Sequence, residues 1–155
     1  MTQCIKILKK SKTLYKIHQY THNNSTTSYG DEAAQKLGTN PEMVYKTLVV
    51  TTDTKEFAVG IVPVASKLSM KLIAKSLGVK KASMADAIDV EKVSGYVLGG
   101  VSPIGQKKRL RTIVDSSASN LSTVFVSAGK RGLEVELNPK DLVTLIDARF
   151  ENITL

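Results

Sequence analysis

Residues 99–111 read Gly-Gly-Val-Ser-Pro-Ile-Gly-Gln-Lys-Lys-Arg-Leu-Arg and join a glycine-rich turn to the cations Lys107, Lys108, Arg109 and Arg111. Glycine lets backbone N–H groups converge where a Cβ would intrude, and clustered cations neutralise phosphate, so the segment suits a phosphate-bearing ligand. Gly100 and Gly105 have the spacing of a nucleotide-triphosphate loop. That loop requires Lys and then Ser or Thr directly after the second glycine; Gln106 and Lys107 stand there instead and exclude it. Residues Ser127-Ala128-Gly129-Lys130-Arg131-Gly132 form a second loop of glycine and cations. Either loop alone reads equally well as a turn beside a solvated basic face; two in one short chain strengthen the phosphate reading of both.

Lys46 interrupts the apolar run Val44-Tyr45-Lys46-Thr47-Leu48-Val49-Val50. An ammonium near a sheet interior is costly unless it meets an anion or opens into a cleft, which makes Lys46 the leading catalytic or ligand-binding candidate. The alternative is a strand lysine whose ammonium snorkels to water. His18, Tyr20 and His22 alternate, and period-2 spacing places them on one strand face. Without a carboxylate or cysteine at ligand spacing, the two histidines are a weak acid–base signal. Cys4 is the single cysteine, which excludes an internal disulfide and reads as a small apolar residue of the first helix. No Ser/His/Asp or Cys/His arrangement and no metal-ligand spacing is visible, so neither a cofactor nor a metal is expected.

The elements holding these residues fit one domain over residues 1–155, long enough to bury a core with 42% of residues hydrophobic. No apolar run suffices to cross a bilayer and the N-terminus lacks a signal-peptide core, so a cytoplasmic protein is expected. The net charge of +8 is uneven. Cations load the N-terminus, the middle and residues 107–111, and the balance turns acidic after Leu133. A basic front implies a polyanionic partner bound in a salt-dependent way. Aromatics make up only 5%, with no Trp, which favours backbone contact over base stacking.

Hydrophobic periodicity predicts a helix over 4–12, a strand over 14–20, a polar turn over 23–28 and a short helix over 32–37 opened by Gly30-Asp31-Glu32. A turn at Pro41 precedes strands over 44–51 and 56–64, joined by Asp53-Thr54-Lys55 and expected to pair at the sheet centre. Helices over 69–77 and 85–93 follow, then strands over 96–98, 112–115, 123–127 and 133–137, a Pro139-initiated helix through residue 146, and a strand over 150–153. This irregular interleaving predicts a mixed α/β (α+β) fold with a curled mixed β-sheet or barrel-like core surrounded by helices, not a doubly wound one.

The ordered set Gly30-Asp31-Glu32-Ala33-Ala34, Tyr45-Lys46-Thr47-Leu48, residues 95–109 from Gly95-Tyr96 to Lys108-Arg109, and residues 127–133 resembles the YbaK/EbsC family. Its members include freestanding Cys-tRNA(Pro) deacylases related to the editing domain inserted in bacterial prolyl-tRNA synthetases. The motifs run in order through essentially the whole chain. Tyr29 and Tyr45 stand where Phe is common, and Ala128 where the second loop usually has Gly.

The resemblance implies trans-editing of Cys-tRNA(Pro), with Cys-tRNA(Cys) as a second candidate substrate. It matches Lys46 to the family's essential lysine, Gly99 and Gly100 to the glycine pair lining the acceptor-end pocket, and Tyr20 to a further pocket position. In the Cys-specific branch the substrate's own thiol attacks its carbonyl, a lyase-like release of thiolactone and tRNA. An aminoacyl ester is already activated, so positioning and oxyanion stabilisation suffice without a protein triad. Ser102, Ser127, Lys107, Lys108, Arg109, Lys130 and Arg131 are the expected substrate-binding residues, the cations gripping the acceptor-stem backbone. Such contacts position RNA without naming it, so prolyl-tRNA synthetase is implied as a transient partner; no membrane or DNA partner is expected. The rivals are a deacylase for another small amino acid such as alanine and a non-catalytic tRNA-binding module.

Overall fold

The computed structural model describes residues 1–25 and 28–155. Helix α1 (Gln3–Lys10) starts at Thr2, whose hydroxyl accepts from the Ile5 amide and donates to the Ala128 carbonyl at 2.6 Å, fixing the helix to the strand opposite. Its buried Cys4 and Leu8 lie at i, i+4 and face the core. Strand β1 (Tyr15–Gln19) leads to helix α2 (Tyr29–Leu37). The turn expected over 23–28 falls partly outside the described residues.

Strands β2 (Tyr45–Thr52) and β3 (Phe57–Pro63) form the expected antiparallel hairpin, with Lys46 opposite Val62. Helix α3 (Met70–Leu77), strand β4 (Ala82–Met84) and helix α4 (Ala87–Ser94) follow. Beyond them lie β5 (Arg111–Asp115), β6 (Val124–Lys130), β7 (Leu133–Leu137), α5 (Pro139–Leu145) and β8 (Arg149–Glu151). Strands β4-β2-β3-β5-β8 make a five-stranded mixed sheet, antiparallel around β2 and parallel across β3-β5-β8. Strands β1-β7-β6 make an antiparallel three-stranded sheet.

The mixed α/β architecture is the expected one. Its strands divide between two sheets and, among the described residues, do not close into a barrel; a bridge between Val44 and Phe125 joins the sheets. Val49, Val59, Ile61 and Val114 of the larger sheet meet Val126, Val135 and Leu137 of the smaller in one core, with Cys4 and Leu8 of α1. No described helix is long and apolar enough to cross a membrane.

Two local expectations are corrected and one unpredicted strand is added. Residues 96–98 form no strand, because Tyr96 turns inward and its hydroxyl donates to the Ile104 carbonyl at 2.6 Å, closing the segment into a loop. Strand β4 escapes the sequence pattern because three residues show no periodicity; it is fixed by pairing Val50 with Met84 and Thr52 with Ala82. Strand β1 ends at Gln19, so His22 does not continue the face of His18.

Candidate active site

A cleft of about 480 Å³ opens where β2, the start of α2, the loop after α4 and the β6–β7 hairpin converge. Lys46 enters from β2, half-buried, and its Nζ donates to the Val64 carbonyl at 3.4 Å. Burial lowers its pKa, nearby Asp31 opposes that shift, and Lys67 reinforces it. Among the described residues no carboxylate lies within ion-pair distance of Lys46. A desolvated cation without a partner facing a cleft is suited to an anionic or strongly polar ligand.

Helix α2 reaches the site because Gly30 packs on Val64; a Cβ there would fall 2.2 Å from Val64 Cγ1. The next turn is locked by buried Glu32, which accepts from the Asn23 amide at 2.7 Å, meets His22 Nδ1 at 2.7 Å and pairs with Lys36 at 3.1 Å. Burial raises the Glu32 pKa, but these donors outweigh it and hold the carboxyl at about 2. Each histidine thus has a carboxylate after all, supplied from a distant element: His22 takes Glu32, and His18 Nε2 meets Glu136 at 3.0 Å. Neither histidine lines the cleft.

The opposite rim is the loop after α4. Gly99 lines the cleft with φ +83°, and Gly100 sits against the second glycine loop, where a Cβ would meet Lys130 Cα at 2.7 Å. The Gly100 amide donates to the Val97 carbonyl at 2.9 Å, so this N–H is committed to a turn and not offered to a ligand. Arg131 ties the rim down: its Nε donates to the Leu98 carbonyl at 2.8 Å and its guanidinium lies 4.7 Å from the centre of the Tyr29 ring.

The aminoacyl-tRNA editing domain family matches residues 22–145. This chain belongs to that family. EbsC of Enterococcus faecalis, whose name gives it as a candidate Cys-tRNA(Pro)/Cys-tRNA(Cys) deacylase, is 33% identical over 153 residues, covering 99% of this chain and 93% of its own. A proline–tRNA ligase of Desulforamulus reducens is 30% identical over 111 residues, 71% of this chain and 19% of the ligase. A solved candidate trans-editing enzyme for prolyl-tRNA synthetase superposes with a TM-score of 0.81 at 21% identity, over 91% of this chain and 87% of that one. A solved hypothetical protein reaches 0.88 at 21% identity over 99% and 100%. At such identities the structural likeness establishes the fold. Editing removes the amino acid from the tRNA 3′ end, so the protein is an aminoacyl-tRNA deacylase.

The editing domain brings Lys46, Gly99, Tyr20, Ser127 and Arg131 to one cleft from four separate stretches of chain. Ser102 is a correction: it is fully buried, and its Oγ accepts from the Ile104 amide at 3.2 Å inside the loop, out of reach of a ligand in the cleft. Lys107, Lys108, Arg109 and Lys130 are exposed and lie off the cleft wall. Arg111 is engaged by Glu56 through two hydrogen bonds of 2.8 Å. Cys4 lies in the core, where burial pushes its thiol up to about 11, and it does not line the cleft.

Sequence reasoning missed Glu134 and Thr47 as cleft residues. Glu134 lines the cleft at 6% exposure, and burial pushes its carboxyl up to about 8. In Leu-Glu-Val-Glu-Leu the two glutamates share a face that reads as solvated; that β7 is the middle strand of its sheet is a tertiary fact. The available signal was a carboxylate two residues after a glycine-and-cation loop. Thr47 also lines the cleft, and its Oγ1 is buried without a hydrogen-bond partner among the described residues.

Proposed function

We propose that the protein, acting in trans as a single editing domain over residues 1–155, removes cysteine from Cys-tRNA(Pro) by attack of the substrate's own thiol on its ester carbonyl. The observation that carries this reading is a cleft with a desolvated lysine and, among the described residues, no histidine or cysteine on its wall. The substrate sulfur bonds to the carbonyl carbon, the ester C–O bond breaks, and the thiol proton ends on the leaving 3′-oxygen. Cysteine thiolactone and free tRNA result, and water later opens the thiolactone to cysteine. Ester cleavage then needs no base from the protein beyond positioning and charge stabilisation.

Lys46 anchors the acceptor end, Gly99 and Tyr20 shape the pocket, and Arg131 holds the rim. Lys107, Lys108, Arg109 and Lys130 follow the acceptor-stem backbone outside the cleft. Such contacts do not distinguish one tRNA from another, so prolyl-tRNA synthetase supplies that selection as a transient partner. The names of EbsC and of the solved trans-editing protein support the same assignment. Single-turnover deacylation of Cys-, Ser-, Ala- and Pro-tRNA(Pro) tests it. Cys-tRNA(Pro) should react far faster than Ser-tRNA(Pro), whose hydroxyl is the poorer nucleophile; equal rates would point to an activated water, and preference for Ala-tRNA(Pro) would reassign the substrate.

A further inference from the structure

We propose that Glu134 is the receptor for the substrate's free α-ammonium, so that the cleft accepts aminoacyl esters with an unblocked amino group and rejects N-acylated ones. This rests on the deacylase reading above and adds a recognition element to it.

Glu134 is a buried acid without a counter-charge among the described residues. Glu134 is 6% exposed, lines the cleft, and among the described residues takes part in no ion pair or side-chain hydrogen bond. Its neighbours across the sheet are His18 on β1 and Ser127 on β6. Both are otherwise occupied: His18 meets Glu136 at 3.0 Å, and Ser127 Oγ accepts from the Gly129 amide at 3.2 Å. Of the ionisable groups on the same cleft wall, Lys46 feels Asp31 and Lys67, Arg131 is held by Leu98 and Tyr29, and Tyr20 and Tyr45 are phenols raised by burial. Cys4, packed in the core, has its thiol pushed further up by Glu134, the response of an acid to a nearby anion and not of a cation.

A carboxylate largely withdrawn from water and lacking partners is unfavourable, so it stays protonated or meets a ligand cation through the cleft. Desolvation is the single cause of the shift to about 8. Burial thus favours the protonated form of Glu134 in the free protein. An α-amino group titrates at about 7.7 to 8.0, in the same range, and close approach of the two favours the carboxylate–ammonium pair. The ligand restores the charge that burial removes, and docking of the ammonium displaces the Glu134 proton to solvent. An N-acylated substrate brings an amide that cannot become a cation and carries extra bulk into the same corner.

The test uses 3′-amino-3′-deoxyadenosine carrying cysteine in amide linkage, with its α-amino group free or acetylated, titrated calorimetrically into the intact protein. The free form should bind at least about 30-fold more tightly, the order expected when a buried, hydrogen-bonded charge pair loses one partner. Its binding near pH 7 should release about one proton, read from the buffer dependence of the heat. Glu134→Gln, neutral and of the same shape, should fold with a thermal midpoint at or above the parent's near pH 7 while reducing the preference to a few-fold and abolishing proton release. Discrimination that persists in Glu134→Gln, or equal binding of the two forms, overturns the inference and leaves the deacylase reading standing. If neither form binds, the cleft is not the pocket for the aminoacylated end, and the proposed placement of substrate and this inference fall together. Should Glu134→Gln unfold, Glu134→Asp in a folded protein must retain the preference; its loss there counts against direct recognition.

Discussion

Gly100 rests so closely on Lys130 that an added Cβ would lie 2.7 Å from the lysine's Cα and 3.0 Å from the Arg131 amide nitrogen. The atoms in the way are backbone, so no rotamer change relieves the overlap. The two glycine-and-cation loops are therefore packed against each other, which explains why both occur in one chain. Gly100→Ala should force them apart, costing about 1 to 3 kcal/mol as overpacked sites do. Because Arg131 fixes Leu98 from the same hairpin, deacylation should fall with the denaturation midpoint. Urea denaturation of Gly100→Ala beside its single-turnover rate checks this; unchanged stability would mean that the loops are not in contact.

Lys107, Lys108 and Arg109 lie on exposed loop surface outside the cleft, with Arg109 near Asp147 at 3.9 Å, a contact between two largely exposed groups that holds neither firmly. They are free to meet phosphate. Replacing all three with alanine should weaken tRNA affinity and flatten the slope of log K against log salt by about 0.7 to 0.9 per lost contact. The rate at saturating tRNA should stay near normal, since none of the three reaches the cleft. A salt titration of binding by both proteins decides it, and an unchanged slope would put the RNA on another face.

Much of the architecture was legible because the longer elements carry period and caps together. The hairpin of β2 and β3 follows from two apolar runs around Asp53-Thr54-Lys55, α5 from Pro139, and β7 over Leu133–Leu137 from strict alternation. Lys46 stood out because a cation in an apolar strand has few bland explanations. What stayed hidden depends on neighbours distant in sequence. Burial of Ser102 comes from its place under the loop, the partners of His18 and His22 from β7 and α2, and burial of Glu134 from its central strand. Periodicity reports which face a residue takes and is silent on what covers that face.

Two buried carboxylates should shape stability in opposite directions with pH. Glu32 is held at about 2 against an ordinary value of 4.5, so the unfolded chain binds its proton first. Its contribution is present above 4.5 and is lost as pH falls toward 2. Glu134 is raised to about 8, so the unfolded chain releases its proton first. Stability is then fullest below 4.5 and declines as pH rises toward 8. Urea midpoints should rise from pH 2 to about 4.5 and drift down from there to about 8. Glu32→Gln should flatten the acid limb, and Glu134→Gln the neutral one. A neutral limb that survives Glu134→Gln would show that the carboxyl is not protonated in the native cleft.

Lys46 separates an enzyme from a binder at one atom. Among the described residues its ammonium makes a single long hydrogen bond, 3.4 Å to the Val64 carbonyl, and its stem sits half-buried on β2. Removing it leaves no carboxylate stranded, so Lys46→Ala should fold with a midpoint close to that of the parent. If the ammonium anchors the acceptor end against the reacting ester, that variant should lose about 100-fold or more in single-turnover rate, roughly 2.7 kcal/mol of transition-state stabilisation. This is well beyond the usual worth of an exposed charge contact. Total tRNA affinity should change little, because cations across the basic face carry most of it. Lys46→Arg should restore only part of the rate, since a planar guanidinium fork replaces a compact ammonium poorly in a confined corner. Burial lowers the lysine's pKa, so activity that needs the charge should fall on the alkaline side at a lower pH than an ordinary lysine would give. Rate, affinity and thermal midpoint should be measured together on both variants. A folded Lys46→Ala that turns over at near-normal speed would make Lys46 a strand lysine reaching for water and remove it from the catalytic assignment.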